Sequence, residues 1–236
     1  KKQKEIAHRY MLGLYKILEN ITSNFPNILF ESCSGGGGRF DGGMLYYMPQ
    51  TWTSDDTDAI ERLMIQEGTS LVYPTSSMGS HVSAVPNHQV HRITPLNTRG
   101  VVAMAGSFGY ELDVTKMNEE EKEEVKKQVE FYKNIRSTVQ FGDLYRLKSS
   151  FDSNEAAWMN LSKDGKEVVV SYVKKYAEAN VIPRRLKVKA LDENSLYEVI
   201  ETGEVFGGDE LMYIGLEIGE LMGDYQAKNW TLRKVD

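Results

Sequence analysis

The sequence that decides the fold is Asn27-Ile-Leu-Phe-Glu-Ser-Cys-Ser-Gly-Gly-Gly-Gly-Arg-Phe-Asp41, followed closely by Tyr46-Tyr-Met-Pro-Gln-Thr-Trp-Thr-Ser-Asp-Asp-Thr-Asp58. Each stretch begins with apolar residues that are typical of a short buried strand. The first strand ends at Cys33 and a run of four glycines, where a ligand can approach the backbone closely. The second ends at Trp52 and three aspartates. Because α/β folds place their chemistry at the carboxyl ends of parallel strands, these two ends predict one wall of an active site.

The first 136 residues show strands and helices in alternation. The predicted strands are residues 27–31, 46–53, 70–74 and 99–106. The predicted helices are residues 3–22, 58–66 and 118–135. The first helix carries a wide apolar stripe that we expect to pack in a core, and Asn118 with Glu121 predicts a capping box. The alternation indicates a parallel sheet and is compatible with part of a (β/α)8 barrel, since a whole barrel needs eight strands.

The pattern changes from residue 137 onward. Short strand-like runs, separated by turn sequences, lie at residues 144–147, 156–161, 168–172, 186–191, 196–200 and 213–218. Strands at this spacing, with no helix between them, predict an antiparallel β-sandwich. The clearest hairpin joins Trp158 to Tyr172. The boundary is predicted near residues 136–140, which gives a barrel part of residues 1–136 and a β-sandwich domain of residues 137–236.

The composition restricts the possible partners and the compartment. The 236 residues carry a net charge of −6, so binding to nucleic acid has no electrostatic support. No apolar run is long enough to span a bilayer, and no membrane partner is predicted. The single cysteine excludes an internal disulfide and fits a reducing compartment, so a cytoplasmic location is predicted. The chain starts at Lys1 and leads directly into a helix, which suggests part of a longer protein.

Several residues in these motifs allow more than one interpretation. Asp55 is either a catalytic carboxylate or, since it precedes a predicted helix, part of an N-cap. The glycine run lacks the Lys-Ser/Thr of a phosphate-binding loop, and Cys33 lacks a histidine that is oriented as a base. The spacing of His81, His88 and His91 is irregular and not typical of a zinc site, so no metal ligand is predicted.

The motifs around Cys33 and Asp55, together with Arg62, resemble those of the family 36 glycoside hydrolases, the bacterial-type α-galactosidases or melibiases. Further segments that resemble this family are Ala7-His-Arg-Tyr10, Tyr73-Pro74, Gly79-Ser-His-Val-Ser83 and Gly208-Asp-Glu-Leu-Met212. The resemblance covers essentially the whole chain in order. It implies a fold of the α/β plus all-β class, the second half of a (β/α)8 TIM barrel followed by a C-terminal antiparallel β-sandwich.

The resemblance also implies a function and a set of site residues. Enzymes of this family cleave terminal α-linked galactose from melibiose- or raffinose-type oligosaccharides by a retaining double displacement, without a metal or an organic cofactor. Asp55 matches the general acid/base, and Cys33 and Gly36 match positions beside the 2-hydroxyl group of the sugar. Trp52 is expected to supply an apolar wall and a face for the sugar. The intact protein is expected to be a homo-oligomer.

One part of the family pattern is missing from this sequence. The family nucleophile is an aspartate in a Lys-Trp-Asp motif at the end of the fourth barrel strand, and the chain contains no such motif. We therefore expect the nucleophile upstream of Lys1, and we expect the isolated chain to be inactive. The alternatives are a galactosyl-transferring enzyme of similar fold, and a non-catalytic fragment that binds carbohydrate or has a structural role.

Overall fold

The N-terminal part of the chain forms a four-stranded parallel sheet with helices around it. The computed structural model describes residues 2–180 and 182–235. The helices are α1 (Ile6–Asn24, preceded by a 3-10 turn at Lys2–Glu5), α2 (Gly42–Tyr47), α3 (Ala59–Ser70), α4 (Leu96–Ala103) and α5 (Glu119–Phe141). The strands are β1 (Glu31–Ser32), β2 (Gln50–Trp52), β3 (Met78–Ser83) and β4 (Ser107–Glu111). Neighbouring strands pair in parallel in the order β1-β2-β3-β4, as in half of a (β/α)8 barrel.

Two of the four predicted strands are wrong, although the number of strands is correct. Residues 70–74 start at the end of α3 and continue into a turn. Residues 99–106 belong mostly to α4, and the apolar side chains of Val101 and Val102 are buried in that helix. A short apolar run looks the same in a buried helix and in a buried strand, so its hydrophobicity alone cannot separate the two.

The first two predicted strands occur in the predicted order but are shorter than expected. Residues 27–30 form no strand. Residues 46–53 begin inside α2, and strand β2 occupies only their second half. Helix α2 forms here because the Asp41 side chain caps it, accepting a hydrogen bond from the backbone N–H of Met44 at 2.8 Å.

Helix α1 differs from the prediction in what it buries. The sequence predicts that its apolar stripe packs in a core, but Ile6, Tyr10 and Ile17 are each more than half exposed. Leu18 is the buried residue of this helix. The prediction is wrong for Ile6, Tyr10 and Ile17, because the residues described at 2–180 and 182–235 leave most of their surface uncovered.

Helix α5 begins with the predicted capping box. The Asn118 side chain accepts a hydrogen bond from the Glu121 N–H at 2.8 Å, and the Glu121 carboxylate accepts one from the Asn118 N–H at 3.0 Å. We expect Asn118→Ala to lower the free energy of unfolding by about 1 kcal/mol, because the Glu121 N–H loses its acceptor. Urea denaturation measures this change. Asn118→Ser keeps an accepting oxygen and should stay close to the parent, so an equal loss in both variants would contradict a capping role.

The C-terminal part forms an antiparallel β domain. Its elements are β5 (Asp143–Lys148), β6 (Glu155–Leu161), β7 (Glu167–Lys174), β8 (Arg185–Leu186), β9 (Leu196–Val199), β10 (Glu204–Gly207), α6 (Gly208–Tyr213), β11 (Leu216–Glu217) and β12 (Gln226–Val235). Six strands form one sheet in the order β10-β9-β12-β7-β6-β5, and β8 pairs with β11. The predicted hairpin is confirmed, since Trp158 in β6 lies opposite Ser171 in β7. The predicted strand at residues 213–218 is mostly wrong, because it starts in α6 and contains only the two residues of β11.

Both faces of the six-stranded sheet are covered by apolar side chains. On one face, the sheet packs against the β8–β11 pair and α6, and the residues involved are Met159, Val170, Leu232, Leu186, Leu211 and Leu216. On the other face, the sheet packs against α3 and α4 through Ala156, Val173, Ala227, Leu63, Val101 and Val102. Val169 of the same face contacts the residues of α5. The barrel part and the β domain therefore share an apolar core.

The predicted fold class is confirmed, with a half barrel first and an antiparallel β domain after it. Helix α5 runs without a break through the predicted boundary at residues 136–140. The division into residues 1–136 and 137–236 stays a prediction. In the described part of the chain, no helix has both the length and the apolar character that crossing a membrane requires.

Candidate active site

The carboxyl ends of β1 and β2 meet, because the loop after β1 folds against the segment after β2. The Gly37 N–H donates a hydrogen bond to the carbonyl oxygen of Thr53 at 3.1 Å. Gly36 is buried with a φ of 70°, and a Cβ atom at this position would lie 2.7 Å from the Cα atom of Ser54. Glycine is therefore required for this close approach. Cys33 lies exposed at the start of the same loop.

Asp55 lies on the segment that Gly36 contacts. A Cβ atom on Gly36 would be 3.0 Å from the backbone nitrogen of Asp55. Asp55 is exposed, and its carboxylate has no hydrogen bond or ion pair with any residue that the structure describes. A carboxylate in this state, at the carboxyl end of a barrel strand, is available to a ligand. Of the four predicted site residues, the structure thus places Gly36 directly against the segment of Asp55, with Cys33 at the start of the same glycine loop.

The N-cap of α3 is Asp58 and not Asp55. The Asp58 side chain is buried and accepts hydrogen bonds from the N–H groups of Ile60 at 3.0 Å and Glu61 at 3.1 Å. Asp56 supports the same turn, because its Oδ1 atom accepts a hydrogen bond from the Asp58 N–H at 3.0 Å. The capping interpretation of Asp55, which the sequence alone leaves open, therefore does not apply.

Trp52 is packed more tightly than the sequence predicts. It is 8% exposed, and the His81 ring stacks on it with a centroid distance of 4.7 Å and an interplanar angle of 17°. The guanidinium carbon of Arg62 lies 4.4 Å from the centre of the indole. Because these groups cover much of the ring, only a small part of it can contact a ligand. The role of Trp52 in sugar binding stays a prediction.

Sequence reasoning assigned no role to Arg62, which the structure shows to be the most buried cation of this region. Arg62 is 2% exposed and shares the buried face of α3 with Ala59, Leu63 and Gln66. These four positions follow the spacing of a core-facing helical stripe. An arginine on an otherwise core-facing stripe is the sequence signal that could have identified Arg62 as a residue with a role. Buried charges are rare unless they are hydrogen-bonded.

The histidines form no metal site with the other residues described. His81 lies in β3, and its Nδ1 atom is 3.6 Å from a carboxylate oxygen of Glu111. His88 and His91 are exposed on the loop that follows this strand. Across residues 2–180 and 182–235, no three side chains of the His, Cys, Asp and Glu types come together as a metal site requires.

Two family profiles match consecutive parts of the chain. The profile described as "Melibiase" matches residues 1–142, and that described as "Glycosyl hydrolase family 36 C-terminal domain" matches residues 155–232. The first match alone covers more than half of the sequence. The chain therefore belongs to the melibiases of glycosyl hydrolase family 36, as the sequence motifs predict.

Relatives with curated names support the same conclusion. The chain is 61% identical to α-galactosidase AgaA of Geobacillus stearothermophilus over 234 residues, which cover 99% of the chain and 32% of that protein. It is 48% identical to α-galactosidase 1 of Pediococcus pentosaceus, again with 99% of the chain and 32% of the relative covered. The chain thus spans about a third of the length of the curated relatives it matches.

Solved structures have the same fold as the chain. A variant of AgaA from Geobacillus stearothermophilus, crystallised with raffinose, superposes with a TM-score of 0.96 at 60% identity and covers 99% of this chain and 32% of its own. An α-galactosidase from Lactobacillus brevis also gives a TM-score of 0.96, at 45% identity, with 99% of this chain and 33% of its own covered.

Proposed function

We propose that this chain is the C-terminal part of a retaining α-galactosidase, which hydrolyses terminal α-galactosyl residues of melibiose- and raffinose-type oligosaccharides. Asp55 is its general acid/base. The observation that carries this proposal is the exposed, unpartnered carboxylate of Asp55 at the end of β2, on a segment packed against the glycine loop that follows Cys33. Relatives named α-galactosidases support the substrate class, and one of them is crystallised with raffinose.

The chemistry proposed for Asp55 has two steps. In the first, the protonated carboxyl group donates its proton to the glycosidic oxygen while the bond to the anomeric carbon breaks. In the second, the carboxylate takes a proton from the water that attacks the glycosyl-enzyme intermediate, and the galactose is released. The two steps balance, because the carboxylate left by the first step is the base that the second step needs, and the proton taken from water restores the acid.

The nucleophile of this mechanism is proposed to come from a part of the enzyme outside these 236 residues. A retaining enzyme needs a second carboxylate about 5 Å from the first. The Lys-Trp-Asp motif that carries it in the family is absent from the sequence. The exposed apolar residues of α1 support the proposal, because they form a surface that the other half of a barrel would cover. We therefore propose that the isolated chain is inactive.

The glycine loop is proposed to select the sugar at its 2-hydroxyl group. The Gly36 backbone presents no side chain, and the exposed thiol of Cys33 is small and a weak hydrogen-bond donor. We propose that this small thiol and the glycine backbone leave room for a hydroxyl group, whereas a bulkier N-acetyl group would call for different residues at these positions. The intact protein is proposed to be homo-oligomeric and cytoplasmic, with α-galactoside oligosaccharides as its ligands.

A fusion experiment tests the proposed function. In Geobacillus stearothermophilus AgaA, the segment that the chain matches is replaced by the chain itself. We expect the fusion to release galactose from raffinose, and we expect no release by the isolated chain or by the fusion carrying Asp55→Asn. Galactose release by the isolated chain would contradict the missing nucleophile. A folded but inactive fusion would contradict the function, and a product that is mainly galactosylated sugar would indicate transfer.

A further inference from the structure

The guanidinium group of Arg62 binds the backbone on both sides of Asp55. Its Nη1 atom donates hydrogen bonds to the carbonyl oxygens of Ser54 at 3.1 Å and of Asp56 at 3.5 Å. Its Nη2 atom donates to the Thr53 hydroxyl at 3.1 Å. One planar group therefore fixes three of the four residues from position 53 to position 56. The remaining residue is Asp55, whose carboxylate has no partner among the described residues.

The other contacts of Arg62 fix the guanidinium itself. Nη2 also donates a hydrogen bond to the carbonyl oxygen of Gly79 in β3 at 3.0 Å, and Nε donates to Gln66 Oε1 at 3.4 Å. Gln66 is fixed in turn, because its amide nitrogen donates to the carbonyl oxygen of Val102 at 2.9 Å. The segment that carries Asp55 is thus connected to α3 and β3 through the Arg62 side chain, and to α4 through Gln66.

Arg62 keeps its charge in this position although burial opposes it. Burial lowers the pKa of Arg62 to about 10, and the negative charges of Asp56 and Glu111 partly oppose that change. All the hydrogen-bond acceptors of the guanidinium are neutral oxygens, and no carboxylate of the described chain forms an ion pair with it. A buried cation without an ion pair costs free energy. Its planar, forked donors, however, can bridge several fixed acceptors as lysine cannot.

We propose that Arg62 is a positioning residue for the general acid/base, because it fixes the backbone on either side of Asp55 and so sets where the carboxyl group meets the glycosidic oxygen. This inference rests on the proposed function of Asp55. It assigns Arg62 no contact with the sugar. Proton donation is sensitive to the distance and angle between donor and leaving oxygen, so a loosened segment lowers the rate of that step.

Arg99 provides a matched control for a purely structural role. It is 7% exposed, and its guanidinium also binds backbone carbonyl oxygens, those of Thr94 at 3.0 Å and Ser83 at 2.6 Å. Burial also lowers the pKa of Arg99. It forms no contact with the segment of residues 53–56. Replacing it removes a buried, backbone-binding arginine without touching the segment that carries Asp55.

The experiment compares two leaving groups in the full-length enzyme that contains this chain. Raffinose has a poor leaving group that needs a proton, whereas 2,4-dinitrophenyl α-galactoside releases a stable phenolate that does not. We expect Arg62→Met to lower kcat/KM for raffinose about tenfold more than for the aryl galactoside. Arg62→Lys should show a smaller difference, because it keeps the charge and part of the hydrogen bonding. Arg99→Met should lower both values by the same factor.

The outcomes separate this inference from the proposed function. Equal losses on the two substrates in the Arg62 variants would show a structural role only and would overturn the inference. If Arg62→Met does not fold, as judged by its thermal unfolding, Arg62→Lys decides by the same comparison. Asp55→Ala is measured alongside. If Asp55→Ala also shows no dependence on the leaving group, then the role of Asp55, and not only that of Arg62, is wrong.

Discussion

Asp55→Ala in the full-length enzyme is expected to lower kcat/KM for raffinose by about 10³-fold, which lies within the usual contribution of a general acid. The same variant should retain most of its kcat/KM for 2,4-dinitrophenyl α-galactoside. This constant reports the first irreversible step, which is formation of the glycosyl-enzyme, and the aryl leaving group needs no proton there. Steady-state kinetics on the two substrates measure the difference.

The second step of the reaction gives an independent readout of Asp55→Ala. Without a base, water attacks the glycosyl-enzyme slowly, so kcat for the aryl substrate should fall. Azide needs no base, and it should restore kcat by attacking the anomeric carbon as the enzyme carboxylate leaves. The product should be α-galactosyl azide, which NMR identifies. Asp56→Asn is the control, since this side chain supports the turn before α3, and it should show no azide rescue. A rescue that is equal in both variants, or absent from both, would contradict the role of Asp55.

Gly36→Ala is expected to lower kcat by about a hundredfold, the cost of displacing a reacting group by roughly 1 Å. The added Cβ atom would lie 2.7 Å from the Cα atom of Ser54 and 3.0 Å from the backbone nitrogen of Asp55. Because both atoms belong to the backbone, the clash can be relieved only by moving the segment or the loop. A displacement of this segment would move the carboxyl group that we propose as the general acid/base.

Gly35→Ala separates this clash from backbone strain. Gly35 has a φ of 59° and Gly36 one of 70°, so an alanine costs about 1–2 kcal/mol of conformational free energy at either position. A Cβ atom on Gly35, however, would have no atom of the described chain within 4 Å. Both variants should lose thermal stability through this strain, Gly36→Ala more because of its added clash, and Gly36→Ala alone should lose most of its kcat. Equal activities would contradict the packing of the loop against residues 53–56.

The sequence predicts the number and order of the barrel strands better than their positions. Strands β3 and β4 mix polar and apolar residues, and they contain Ser80, His81 and Gly109. They lack the apolar run that identifies a buried strand. The most apolar run in this region, at Val101 and Val102, forms a helix that packs between the sheet and the β domain. The hydrophobicity of these segments thus reflects how deeply each is buried in the fold. It does not indicate whether a segment forms a helix or a strand.

Part of the geometry of the candidate site was predictable from the sequence, although the roles of its residues stay a prediction. Cys33, Gly36 and Asp55 could be placed together from the sequence, because the ends of neighbouring parallel strands meet at one edge of the sheet. The role of Arg62 could not be predicted in this way. Its acceptors are mostly backbone carbonyl oxygens, which every residue has, so no residue type marks them. Only the path of the chain shows which carbonyl groups face the guanidinium.

The contact of the six-stranded sheet with α3, α4 and α5 has a consequence for how this part of the protein can change in evolution. The regions matched by the two family profiles pack against each other in one apolar cluster. Val173 and Ala227 belong to it from the β domain, and Leu63 and Val102 from the barrel part. A recombination event that exchanged the β domain alone would leave apolar side chains of α3 and α4 facing a sheet that does not fit them. Descendants of such an event would need compensating substitutions on both sides, so we expect the two regions to be inherited as one unit.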